Sequence, residues 1–244
     1  MNKEQLFNSI QKEIFALPQK KMDGKEQAFI QRYLGTDKLV LGVKINDIMK
    51  IAKAAVTLDN LDIADTIYLI EQLLFAKTFE EHAVGGKIFC LLKPEIRAKI
   101  SLETLKRWLS PTRGWVEIDV ICQSTYTEAE VLDRLDEWQE MINKFASSDN
   151  ISLRRASLVL QVKPVGKGSD KKLRTIAFET IERLKSEKAV LITKAISWLL
   201  RALSAQDKDE VKQYILNNET SLPRIAFRET MKKIETGRKI SKKA

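Results

Sequence analysis

Apolar residues recur at helical spacing along almost the whole chain, and no stretch keeps the period-two alternation of a strand. Such a chain is confined to helical architectures. Leu6, Ile10, Ile14 and Leu17 share one face of a first helix, which Pro18 ends. Ile63, Ile67, Ile70 and Leu74 make a second stripe, with Asn60 placed to cap it. Thr78 and Glu81 form a capping box, as do Thr127 and Glu130. The second box opens a long helix with Val131, Leu135, Trp138, Ile142 and Phe145 on one side. Leu173, Ile176, Ile181 and Leu184 give a further stripe, and Val190 to Leu203 is apolar on most sides, as in a helix buried within an array. Nine glycines and five prolines in 244 residues leave few breakers. Their densest group, Val162 to Lys172, reads as an exposed loop with four lysines. About a dozen helices joined by short polar turns fit a bundle or a solenoid of stacked pairs, each pair taking roughly 40 residues.

Lysine and arginine number 42 against 33 acids, a net charge of +9. Six of these cations stand in Met231–Ala244 against Glu235 alone, so a frayed basic tail accounts for about half of the excess. The balance favours a polyanion such as nucleic acid as partner. Two cysteines, Cys90 and Cys122, exclude a disulfide framework. With His82 as the lone histidine there are too few ligands for a zinc site built by the protein. No glycine-rich phosphate cradle and no nucleophile elbow occur, and His82 lacks the partners of a hydrolytic triad. His82 is expected as a helix-surface or packing residue, and Gly85 and Gly86 as a point of close helix contact. The start of the chain has no apolar signal region and no apolar run is long enough to cross a bilayer, so a cytoplasmic protein without membrane contact is expected.

Three segments carry chemistry. Trp115 and Asp119 stand at i and i+4, which puts an indole and a carboxylate on one helix face. The pair alone is met by chance in many helical proteins. Asp119 has Ile118, Val120 and Ile121 as neighbours, a costly setting for an unpaired charge that a specific task or a salt bridge would relieve. Trp115, beside Val116 and Ile118, is balanced between core and groove, and Trp198 reads as core on pattern alone. Arg154 and Arg155 open an apolar helix against its dipole, which an anionic partner would offset, with Asp149 the nearby candidate.

The segments Gly114–Asp119, Leu153–Gln161 and Lys194–Arg201 occur in that order, with Tyr33–Gly35 and Leu41–Ile45 before them and Arg224–Glu229 after. Together they resemble the AlkD-type DNA alkylation repair glycosylases over nearly the whole chain. The resemblance implies an all-α, HEAT-like superhelical solenoid of stacked antiparallel helix pairs, one domain over residues 1–237 followed by a basic tail at 238–244. It implies a basic concave face for double-stranded DNA with alkylated bases, and hydrolysis of the N-glycosidic bond of cationic N3- and N7-alkylpurines. The damaged base is not drawn into a closed pocket, unlike the usual flipping scheme. Neither metal nor cofactor is called for, and a monomer suffices. By position Trp115 and Trp198 would contact the sugar, Asp119 would be the catalytic carboxylate, and Arg155 would engage a backbone phosphate. Arg113, Arg154, Lys194 and Arg201 cluster near these segments in sequence and join them as DNA-binding candidates.

Those roles suit the chemistry. An alkylated purine is already cationic and leaves easily, while the deoxyribose acquires oxocarbenium character that an ionised carboxylate stabilises. Two departures bear on substrate range. Val116 follows Trp115 where the family often has an acid, and Ile151 and Ser152 stand where an aromatic residue is often found. The alternatives are a non-catalytic HEAT-like protein that binds damaged or unusually shaped DNA, and a protein–protein scaffold.

Overall fold

The computed structural model describes residues 3–57 and 61–238. Among them every regular element is a helix, and the extended pairing is limited to an isolated bridge between Leu39 and Thr78. The chain divides into two compact units, Met1–Ile121 and Cys122–Ala244.

In the first unit, α1 (Lys3–Ala16) turns Leu6, Ile10 and Ile14 inward and stops just before Leu17. α2 (Gly24–Leu34) begins at Asp23, whose carboxylate accepts from the Lys25 and Glu26 amides. It buries none of its own residues. The core is α3 (Ile45–Val56), α4 (Ile63–Leu74) and α5 (Phe79–Leu91), with α5 packed on both others and α1 packed on α4. The cap of α4 is Asp62, which accepts from the Asp65 amide; Asn60, expected in that role, lies outside the described residues. The expected box of Thr78 and Glu81 starts α5. Behind it, the buried Glu80 carboxylate accepts from the Leu41 and Gly42 amides at 2.9 and 2.8 Å. That ties the segment after α2 to the core and satisfies a charge taken out of water. The single-turn α6 (Pro94–Arg97) brings the buried Arg97 guanidinium onto the Phe89, Cys90 and Leu92 carbonyls, closing the end of α5. α7 (Leu102–Leu109) buries Trp108 edge-on to Phe89. α8 (Gly114–Cys122) lies against α5 where a side chain at Gly86 would come within 2.3 Å of Val120, the close approach expected of the glycine pair.

The second unit opens with α9 (Glu128–Leu132), started by the box of Thr127 and Glu130. The helix expected to run on to Phe145 is broken: Arg134 leaves helical conformation at φ −139° and ψ 42°, and α10 (Leu135–Ala146) starts afresh. The break lets both Val131 and Trp138 be buried, the latter against Tyr126, while Leu135 is only half-buried. α11 (Ile151–Lys167) corrects a second expectation, because most of the stretch read as a loop is its last turns. Proline costs a helix one backbone bond. Here Val162, Pro164 and Val165 are buried and Gly166 sits against Ala202, so packing outweighs local preference. α12 (Lys171–Leu184) buries Leu173, Ile176, Ile181 and Leu184 as expected. α13 (Val190–Leu203), buried on most sides, packs on α11, and after α14 (Lys208–Asn217) it also receives α15 (Arg224–Thr236). Of the basic tail, residues 239–244 lie outside the described residues.

Candidate functional site

In the first unit the site is built where the end of α2 meets the start of α8. Gly35 and Gly114 have φ +76° and +59°, the left-handed region that favours glycine. A Cβ on Gly114 would stand 2.3 Å from the Gly35 oxygen, and one on Gly35 would stand 2.7 Å from the Gly114 Cα. Backbone therefore touches backbone. Two polar links lock the joint. The buried Glu117 carboxylate accepts from the Thr36 hydroxyl and, at 2.9 Å, from the Arg113 amide ahead of α8. Trp115 Nε1 donates to the Tyr33 carbonyl at 2.8 Å, and the Tyr33 and Trp115 rings meet edge to face with centroids 5.9 Å apart. The indole of Trp115 is thus half-buried and held in a fixed orientation, and Asp119 follows one turn on, 7% exposed. Arg113 is exposed and paired with Asp37.

Under α8 lies His82, fully buried, with Nε2 3.0 Å from the Glu117 carbonyl and Nδ1 2.9 Å from the Leu74 carbonyl. It is a packing residue. Burial holds its pKa below the ordinary imidazole value, with the two carbonyls opposing that shift less strongly. Lys38 is a neighbour of the same network; its Nζ donates to the Ala76 carbonyl at 2.5 Å. Burial lowers its pKa, and the nearby Glu117 and Glu81 carboxylates oppose this.

The second unit gathers the other candidates on α11 and α13. Arg155 is buried, 4% exposed, and its guanidinium donates to the Leu191 carbonyl at 2.5 Å, at the start of α13. Arg154 pairs with Glu187 at 2.7 Å and donates to the Ser148 carbonyl. The acid that offsets the dipole mismatch is therefore Glu187, from beyond α12, and not the sequence neighbour Asp149. Lys194 is exposed, Trp198 is half-buried where the pattern alone read core, and Arg201 reaches Glu229 at 3.7 Å. Burial lowers the Arg201 pKa and Glu229 opposes it. Trp115, Asp119 and Arg113 thus stand together in the first unit, and Arg154, Arg155, Lys194, Trp198 and Arg201 in the second.

Tyr33 is the residue that sequence reasoning passed over. It served only as a marker of resemblance, although its carbonyl and ring set the indole of Trp115. The signal was the Tyr-Leu-Gly turn itself, since a glycine that closes a helix marks where the last carbonyls run out of intrahelical partners.

An all-α helical repeat protein with an indole and a carboxylate one turn apart is the class these features define. The sequence profile of the DNA alkylation repair enzyme family matches residues 19–234, and the chain belongs to that family. Two solved structures share the fold. One, from Enterococcus faecalis, is described as a predicted DNA alkylation repair enzyme. It has 20% identity and a TM-score of 0.68 over 88% of this chain and 97% of its own. The other, smu.31 of Streptococcus mutans UA159, has 17% identity and a TM-score of 0.55 over 77% of this chain and 92% of its own. No protein of curated function matches the sequence. No described helix is long and apolar enough to cross a membrane.

Proposed function

We propose that the protein is a DNA glycosylase that hydrolyses the N-glycosidic bond of cationic N3- and N7-alkylpurines in duplex DNA. The observation that carries this reading is Asp119, a carboxylate 7% exposed, one turn beyond an indole whose orientation the Tyr33 carbonyl sets. Family membership supports alkylated DNA as the substrate. As the bond from C1′ to the purine nitrogen breaks, the bonding pair stays with the base. The base leaves neutral, and the positive charge passes to the deoxyribose. Asp119 stabilises that charge and orients a water, whose oxygen bonds C1′ and whose proton passes to the carboxylate or to solvent. Trp115 offers the developing cation an aromatic face, a contribution of about 0.5–2 kcal/mol. Trp198 contacts the sugar, while Arg155, Arg154, Arg113, Lys194 and Arg201 serve DNA backbone contacts. In this reading residues 1–237 act as one solenoid, the basic tail adds positive charge, and the protein works as a monomer without metal or cofactor.

Purified protein is expected to release N7- or N3-methylpurine from methylated duplex DNA with no added metal. Asp119→Asn should remove most release, roughly 100-fold or more, and leave DNA affinity within a few fold. Equal release by the variant would sink the mechanism. A second reading, DNA binding without excision, is favoured by the buried, apolar Val116 beside Trp115, where the resembled family often has an acid. Tight, salt-dependent binding with no release would select it.

A further inference from the structure

α2 half-buries Ile30 and Leu34 but leaves its aromatic side chains in water. Phe29 and Tyr33, at i and i+4, are 69% and 58% exposed on a helix that buries no residue fully. Tyr33 meets the ring of Trp115, and Phe29 stands one turn before Tyr33 on the same face of α2. Cations border it. Lys25 stands one turn before Phe29 and Arg32 three residues after it, both exposed, and neither holds an ion pair among the described residues. Glu26, the acid on α2, already pairs with Lys20 at 3.4 Å.

We infer that the α2 face formed by Lys25, Phe29 and Arg32 is a second nucleic-acid contact. It grips the strand that leads away from Trp115 by its phosphates and by one sugar or base face. The inference rests on the reading of the protein as one that acts on DNA. Cations spaced around an aromatic ring match a strand that alternates phosphates with flat bases. An apolar helical partner would leave both cations unmet. Lys25 and Arg32 are seven residues apart, about 10 Å along the helix. That spans roughly three steps of a duplex with an axial rise near 3.4 Å. Phe29 is placed between the two phosphate contacts and packs on one of the intervening nucleotides.

The test uses the full chain and a fluorescent duplex free of damage, so base release plays no part in it. The Lys25→Gln, Arg32→Gln double variant should lower the slope of log affinity against log salt by about 2. Phe29→Ala should weaken binding about fivefold or more without changing that slope, and Phe29→Trp should restore it. All three side chains are exposed, so an unchanged melting temperature accompanies these shifts. Wild-type affinity and slope in both variants overturns this inference alone. Failure of the wild-type chain to bind DNA overturns it together with the functional reading. If Phe29→Ala instead dissociates a dimer in sedimentation and leaves DNA affinity unchanged, the face is a self-association surface and the inference falls.

Discussion

Asp119 and His82 are both buried, and of the two only Asp119 is proposed to meet a substrate. His82 is held between two carbonyls beneath α8, and burial sets its pKa below the ordinary value near 6.5. The folded imidazole binds a proton less readily than the unfolded one. The stability it allows is therefore fully present above about pH 6.5. It is lost as pH falls toward the folded value. In His82→Gln, melting temperature should depend less on pH between 8 and 5 than in the wild type; an identical pH profile would remove His82 from the acid response. The fate of Arg154 shows the limit of reading residues by sequence distance. An anionic partner was legible from the dipole mismatch, but Glu187 reaches it only after α12 folds back, a separation that spacing does not encode.

At the scale of elements, both capping boxes were legible because they are local: side chain and amide lie three residues apart. Thr127→Ala should cost about 0.5–2 kcal/mol, read from urea denaturation. The last turns of α11 were not legible, since local preference at Pro164 and Gly166 opposes a helix and only burial against other helices reverses it. The break at Arg134 was hidden for the opposite reason. The stripe from Val131 to Phe145 keeps helical spacing across it, and burying Val131 and Trp138 together outweighs continuity. The pair Trp115 and Asp119 was visible as a spacing, yet the Gly35–Gly114 joint and the Glu117–Thr36 bond that hold it are long-range. Gly86→Ala should destabilise by about 1–3 kcal/mol in the same denaturation, because Val120 occupies the space a methyl needs.

For the whole molecule, family membership places the chain among DNA alkylation repair enzymes, while a net charge of +9 bears on how it meets its partner. Binding through four phosphates should weaken on the order of 100-fold between 50 and 200 mM salt. A flat response in a fluorescence titration would point to contacts other than phosphate. Charge clustering in sequence did not foretell which cations are open: Arg113, Arg154 and Arg201 have acidic partners, whereas Lys194 is exposed with no ion pair among the described residues. The Gly35–Gly114 joint carries a mechanical consequence. With no side chain between the two backbones, there is no rotamer to absorb a displacement, so the end of α2 and the start of α8 are stiffly coupled. A tug on α2 reaches the indole undamped, and a single methyl at Gly114 should slacken both the fold and the aim of Trp115.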